Sequence, residues 1–191
     1  MELSEAYIAK LKTNIINIIM LFSGIFILFQ SLKYMKKNNL DELTGVYNRK
    51  YFSTIFNRLF KQKKNFYMII YDIDDFKKVN DTYGHALGDE VIKSIANIAA
   101  SCTKNYGKVF RYGGEEFIVI LDNCNLEKVK EIAENIRSKV EENQWHEGII
   151  ITISLGISSK LDTKEETFEK ADNNLYISKN NGKNRITYYQ I

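Results

Sequence analysis

Residues 13–32 form a continuous stretch without any ionisable side chain. Twenty helical residues span roughly 30 Å, which is about the thickness of the hydrocarbon core of a bilayer. Ile, Leu and Phe cover every side of such a helix, whereas an amphipathic surface helix would keep one polar face. The sequence therefore predicts a transmembrane helix within an N-terminal segment, 1–40, followed by one domain over 41–191.

Two other interpretations of this stretch are a cleavable signal peptide and a buried coiled-coil stalk. A signal peptide needs small residues at its cleavage site, and the following "QSLKYMKK" has none in that arrangement. Three Lys follow the stretch and two precede it. Because positive charge is enriched on the cytoplasmic side, this bias favours a single-pass protein of the inner (cytoplasmic) membrane with its C-terminal domain in the cytoplasm.

The distribution of charge argues against a nucleic-acid partner. The chain has 27 basic and 24 acidic residues, and the excess lies within residues 1–40. Residues 41–191 are left neutral, without the basic surface that duplex binding requires. Cys102 and Cys124 have neither CxxC nor zinc-finger spacing, which favours reduced, structural thiols.

Periodicity after residue 40 alternates between helical and strand patterns. The run "FYMIIY" is apolar at almost every position, as expected for a strand buried on both faces. Gly113-Gly114 predicts a tight two-residue hairpin, so one strand pair is antiparallel. The expected fold is α/β, with a mixed central sheet flanked by helices. Helices are predicted at 48–63, 88–103, 126–142 and 164–180, and strands at 66–71, 108–112, 115–121, 149–158 and 185–189.

Carboxylates follow the buried strand and occupy the hairpin. Asp72 ends the strand, and Glu115 and Glu116 follow the two glycines. If the hairpin lies beside that strand, these like charges repel by about 4 kcal/mol at 4 Å and an effective dielectric of 20. A divalent cation removes that repulsion, and oxygen ligands favour Mg²⁺ or Mn²⁺ over zinc. Each piece also has a simpler interpretation: a solvated hairpin tip for the glutamates, and a helix N-cap for Asp74 or Asp75.

Five ordered motifs resemble the diguanylate cyclases of the GGDEF family, with "RYGGEEF" as the signature in its Glu-Glu form. The resemblance extends over residues 41–189 and implies a palm-like nucleotidyl-cyclase fold. It also implies condensation of two GTP into cyclic di-GMP, with Mg²⁺, by two domains facing each other in a homodimer. The motifs are "DELTGVYNRKYF" (41–52), "DIDDFKKVNDTYGHALGDEVI" (72–92), "RYGGEEF" (111–117), "ITISLGIS" (151–158) and "ADNNLYISKNNGKNR" (171–185).

The resemblance assigns expected roles by position. Asp72, the backbone carbonyl of Ile73, Glu115 and Glu116 would bind metal, and Glu115 would accept the proton of the attacking 3′-hydroxyl. Asn80 and Asp89 would read guanine, His85 would lie in the same pocket, and Lys179 and Lys183 would hold the β- and γ-phosphates. Outside the motifs, these residues have ordinary interpretations: a turn residue for Asn80, a buried ring for His85, a first-turn acid for Asp89, and a solvated helix end for the two lysines.

The chain departs from the family at several places, and two of them bear on ligand binding. The product-inhibition motif Arg-x-x-Asp would fall at 104–107, where the sequence is Lys-Asn-Tyr-Gly, so no product-inhibition site is expected. Lys183 replaces a usual arginine, which keeps the charge but loses the planar fork. The alternative to an active cyclase is a catalytically inactive GTP-binding signalling module of the same fold.

Overall fold

The computed structural model describes residues 2–122, 124–145 and 148–188, and the chain divides into two compact units, with the boundary after Asn39. The first unit consists of helix α1, Glu2–Asn38. Within it, Lys12–Gln30 has a mean hydropathy of 1.8 and is long and apolar enough to cross a membrane. Its large apolar side chains are exposed in the isolated chain, as expected of a helix whose partner is lipid.

The second unit is built on one mixed sheet, which confirms the predicted α/β class. Its strand order is β1-β3-β4-β2-β5-β6 among the described residues, with parallel pairing at the two edges and antiparallel pairing between. The strands are β1 Tyr47–Asn48, β2 Tyr67–Ile73, β3 Gly107–Gly113, β4 Glu116–Leu121, β5 Ile153–Ser159 and β6 Ile186–Tyr188. The remaining helices are α2 Arg49–Lys61, α3 Phe76–Thr103, α4 Leu126–Glu141 and α5 Lys164–Asn180.

Strand β2 lies between β4 and β5 in the sheet, and apolar residues cover both of its faces. Ile69, Tyr71 and Ile73 belong to one apolar cluster with residues of α3 and α4. Met68 and Ile70 belong to a second cluster with residues of α2 and α5. Burial on two faces explains the nearly unbroken apolar run, since every position of the strand after Tyr67 is buried.

Several predicted boundaries were wrong. Helix α3 begins at Phe76 instead of residue 88, and it is kinked at Gly84, whose φ of 83° is open to glycine and strained for other residues. The hairpin turn is Gly114-Glu115, because Gly113 still belongs to β3. Strand β5 begins at Ile153, four residues later than expected. Tyr189, the predicted end of the last strand, lies outside the described residues.

Candidate active site

Asp72 lies near the end of the central strand, directly opposite the acidic hairpin. Strands β2 and β4 pair antiparallel, and their register places Asp72 against Glu116. Glu115 lies in the turn immediately before Glu116, and the charges of both glutamates act on Asp72. Ile73 is the next residue of β2 and pairs with Ile153 on the other side. The predicted meeting of Asp72 with the hairpin acids is confirmed.

The electrostatic environment of Asp72 is unfavourable to its charge. Its side chain is 11% exposed, and its nearest cation is Lys179 of α5, whose Nζ lies 2.9 Å from Oδ1. The pKa of Asp72 is raised to about 6. Burial is the largest cause, the hydrogen bond and charge of Lys179 partly offset it, and the charges of Glu115 and Glu116 add to it. A buried carboxylate with a perturbed pKa at the end of a strand is typical of a functional site.

The hairpin turn is braced by Arg111, a contact that periodicity did not predict. Its Nε donates to the Gly114 carbonyl at 2.9 Å, and its Nη1 donates to Asp41 at 3.1 Å. Burial alone would raise the pKa of Asp41, but hydrogen bonds from Thr44 and Arg111 lower it overall. The first motif is thereby tied to the turn that bears Glu115, and only the three-dimensional fold reveals the link.

Asn80 and Asp89 lie on the two halves of α3, which the kink at Gly84 brings toward each other. A Cβ added at Gly88 would lie 2.0 Å from Asn80 Oδ1, so the absence of a side chain there makes room for the Asn80 amide. Asn80 is within the helix instead of in a turn, and Asp89 is exposed. His85 is also exposed, so the buried-ring interpretation is wrong.

Asp74 and Asp75 have different surroundings although they are adjacent. Asp74 is buried and accepts hydrogen bonds from Thr152 and Ser154, each at 2.7 Å, and from the backbone of Asn184 at 3.0 Å. Asp75 stands at the N-cap position of α3 in a left-handed conformation, but its side chain makes no capping bond. Thus neither aspartate serves as a side-chain cap.

Lys179 and Lys183 both point to the acidic end of β2. Lys179 pairs with Asp72, and Lys183 Nζ lies 2.6 Å from Asp75 Oδ1. Both side chains are partly buried, at 37% and 40% exposure. Neither is therefore a freely solvated helix end, and two ammonium groups stand where an anionic ligand would meet the carboxylate edge.

The site suits a cation that is held partly by the protein and partly by the phosphates of a bound nucleotide. Among residues 2–122, 124–145 and 148–188, no three His, Cys, Asp or Glu side chains are placed to bind a metal by themselves. Mg²⁺ is usually held by one or two carboxylates, with water and substrate phosphates completing its octahedron. The mutual repulsion of Asp72, Glu115 and Glu116, balanced by one lysine, matches that partial cage.

The segment where the product-inhibition motif would lie joins α3 to β3. Lys104 follows the end of α3, and Gly107 begins β3. A Cβ at Gly107 would lie 1.9 Å from the backbone oxygen of Ile120. The backbone contact thus leaves no room at 107 for the aspartate of that motif.

A mixed sheet whose central strand ends in carboxylates, with lysines facing them, is the kind of arrangement that an α/β domain uses for a nucleotide and a metal ion. Residues 38–185 match the family described as "Diguanylate cyclase, GGDEF domain". The chain belongs to this family, as the five motifs predicted.

Known proteins similar to the chain agree with this assignment. It is 38% identical to diguanylate cyclase A of Treponema denticola, over 98% of the chain and 53% of that protein. It is 34% identical to an uncharacterized membrane protein of Staphylococcus aureus (strain USA300), over 83% of the chain and 48% of that protein. The structure of the active GGEEF domain of a diguanylate cyclase from Vibrio cholerae matches with a TM-score of 0.70 and 33% identity, over 75% of this chain and 97% of that one.

The chain spans about half the length of these curated relatives. Its long apolar helix and its similarity to proteins named as membrane proteins together favour a membrane anchor.

Proposed function

We propose that the chain is a membrane-anchored diguanylate cyclase that condenses two GTP into cyclic di-GMP with release of pyrophosphate. The observation that supports this most directly is the acidic edge itself: Asp72 opposite Glu116, with Lys179 at 2.9 Å. Carboxylates for a cation and ammonium groups for phosphates stand together, as phosphoryl transfer requires. The family membership and the Glu-Glu signature support the same activity.

The metal would be held by Asp72, the Ile73 carbonyl, Glu115 and Glu116. Bound Mg²⁺, or Mn²⁺ in its place, would neutralise charge on the triphosphate and activate the attacking 3′-oxygen. When nucleotide binds, the ammonium group of Lys179 would leave Asp72 and pair with a phosphate oxygen. Lys183 would likewise leave Asp75 for a phosphate oxygen. Both lysines already lie beside the carboxylates, so the exchange needs side-chain motion alone.

Guanine would be read by Asn80 and Asp89. A carboxylate at 89 can accept from both N1–H and the 2-amino group of guanine, whereas adenine offers neither donor. A polar group left unpaired against the wrong base discriminates strongly. The space that Gly88 leaves for the Asn80 amide supports a flat base beside it, and exposed His85 lies at the same kink.

The reaction forms a bond between the 3′-oxygen of one GTP and the α-phosphorus of the other, and it breaks the α–β phosphoanhydride bond. Glu115 would take the hydroxyl proton, and pyrophosphate leaves. Two such steps close the ring, so two domains must face each other as a homodimer. The anchor in the cytoplasmic membrane, with the domain in the cytoplasm, would raise the effective concentration of the partners.

Product analysis of the full chain in detergent, with Mg²⁺ and either GTP or ATP, tests the proposal. We expect cyclic di-GMP and pyrophosphate from GTP alone. Glu115→Ala should abolish both products, while Glu131→Ala, which removes an exposed acid on α4, should leave them unchanged. Continued synthesis by the Glu115→Ala protein would refute the assigned role. GTP binding without product in the unaltered chain would indicate the inactive signalling module instead.

A further inference from the structure

The turn between α5 and β6 is held in an unusual backbone conformation. Gly182, Lys183 and Asn184 have successive φ values of 106°, 61° and 45°. L-residues rarely adopt this left-handed region, so two non-glycine residues there need support from outside the turn. Lys183 is the residue whose ammonium group reaches the acidic edge. Whatever supports the turn therefore also sets the position of that ammonium group.

Backbone hydrogen bonds supply part of the support. The Lys183 N–H donates to the Ser178 carbonyl at 3.0 Å, which closes the end of α5. The Asn184 N–H donates to the buried carboxylate of Asp74, also at 3.0 Å. Asp74 also accepts hydrogen bonds from the hydroxyl groups of Thr152 and Ser154. This carboxylate therefore joins the turn to the end of β2.

The side chain of Asn184 is held by α4, which has no other role in the site. Arg137 Nη1 donates to Asn184 Oδ1 at 2.8 Å, and Asn184 Nδ2 donates to Glu141 Oε1 at 2.7 Å. Arg137 Nη1 also donates to Glu141 Oε2 at 2.7 Å. The three side chains thus form a closed ring in which each is bonded to the other two. A closed ring fixes which way the amide faces and where the turn stands relative to α4.

Arg137 is well placed to anchor this ring. Its side chain is 16% exposed, and Glu134 accepts from its Nε and Nη2 on the preceding turn of the helix. Nearly all of its donors are therefore occupied in one geometry. An arginine that served only the helix surface would not need to reach the α5–β6 turn, 47 residues away in sequence.

We propose that Arg137 and Glu141 are positioning residues for the triphosphate, acting through Asn184 to hold Lys183 at the site. The inference rests on the proposed role of Lys183 as a ligand of the β- and γ-phosphates. When nucleotide binds, Lys183 must leave Asp75 and meet the phosphates, and the ring keeps its backbone within reach. The ring has no contact with the guanine-reading residues, so its loss affects phosphate recognition selectively.

The test measures binding of two probes to the full chain in detergent with Mg²⁺ by calorimetry. One probe is 3′-deoxy-GTP, which has the triphosphate but cannot condense, and the other is GMP, which lacks the β- and γ-phosphates. We expect Arg137→Met and Glu141→Leu to weaken 3′-deoxy-GTP binding about three- to tenfold, in the lower part of the range for residues coupled in one hydrogen-bond network. GMP affinity should stay unchanged.

Three comparisons make the result specific. Lys128→Met removes an ion pair of similar geometry on the same helix, away from the turn, and should change neither affinity. Glu141→Gln keeps an acceptor for Asn184 and should restore most of the binding lost in Glu141→Leu. Glu141 is 42% exposed, so its variants should fold even if Arg137→Met does not. In a Lys183→Ala background, loss of the ring should have no further effect.

Equal weakening of both probes, or an undiminished effect of Arg137→Met in the Lys183→Ala background, would overturn the inference. If Lys183→Ala weakens 3′-deoxy-GTP binding but the ring variants do not, the inference is also overturned, while the proposed function stands. If Lys183→Ala itself leaves 3′-deoxy-GTP affinity unchanged, the phosphate role fails, and the inference fails with it.

Discussion

Replacing Asp72 with Asn should stabilise the folded domain while it removes activity. The pKa of Asp72 is raised from 3.8 to about 6 in the folded protein, mainly by burial. One pKa unit corresponds to about 1.4 kcal/mol, so at neutral pH the ionised carboxylate costs the folded state about 3 kcal/mol before screening. Water reaches this edge of the sheet, so a net cost of about 1–2 kcal/mol is the better expectation.

The pH dependence of this difference has a definite sign. Between pH 4 and pH 6, Asp72 is mostly protonated in the folded state and mostly ionised in the unfolded state. Its contribution to stability is therefore fully present below about pH 4 and is lost as the pH rises through about 6. Asn cannot ionise, so the gain in Asp72→Asn should be full at pH 7.5, about half as large at pH 5, and only about a fifth as large at pH 4. Lys179, left without its partner, is 37% exposed and can be hydrated.

Urea unfolding of residues 40–191 at these three pH values measures the effect, and GTP turnover of the full chain measures the loss of function. Glu116→Gln is a suitable comparison, because its exposed carboxylate should give a much smaller stability change. A stability difference that does not vary with pH would show that Asp72 ionises normally, and it would refute the argument from burial. Activity retained by Asp72→Asn would contradict its proposed metal role.

Three further outcomes follow from the same geometry. Gly88→Ala places a methyl group against Asn80, so GTP affinity should fall about tenfold, as calorimetry would show. Lys183→Arg supplies a planar fork for phosphate and should tighten GTP binding about two- to fivefold; unchanged affinity would argue against phosphate contact. Micromolar cyclic di-GMP added to the enzyme should not reduce its rate, and Gly107→Asp should lower the melting temperature instead of creating inhibition, because its Cβ would collide with the Ile120 carbonyl.

Sequence patterns predicted the features that arise from local chemistry. The long uncharged stretch predicted a helix of membrane-spanning length. The apolar run at 66–71 predicted a strand covered on both faces, because a strand buried on both faces has few positions for polar residues. Asp72 was expected to meet Glu115 or Glu116 if the hairpin lay beside the buried strand, and β2 and β4 do pair, with Asp72 opposite Glu116. That inference succeeded because the strand pairing of a hairpin beside a buried strand leaves few registers.

The tertiary structure decided what depends on residues far apart in the chain. The sequence could not place the kink at Gly84 inside one helix, since an isolated glycine marks a turn, a cap or a kink equally well. It also could not show that Arg111 braces the turn, that Lys183 pairs with Asp75, or that Arg137 reaches Asn184. The sequence determined which carboxylates and ammonium groups are available to a metal and a nucleotide. Only the folded chain determined which of those charges are buried and which partners hold them, because these contacts depend on packing between elements that no local pattern records.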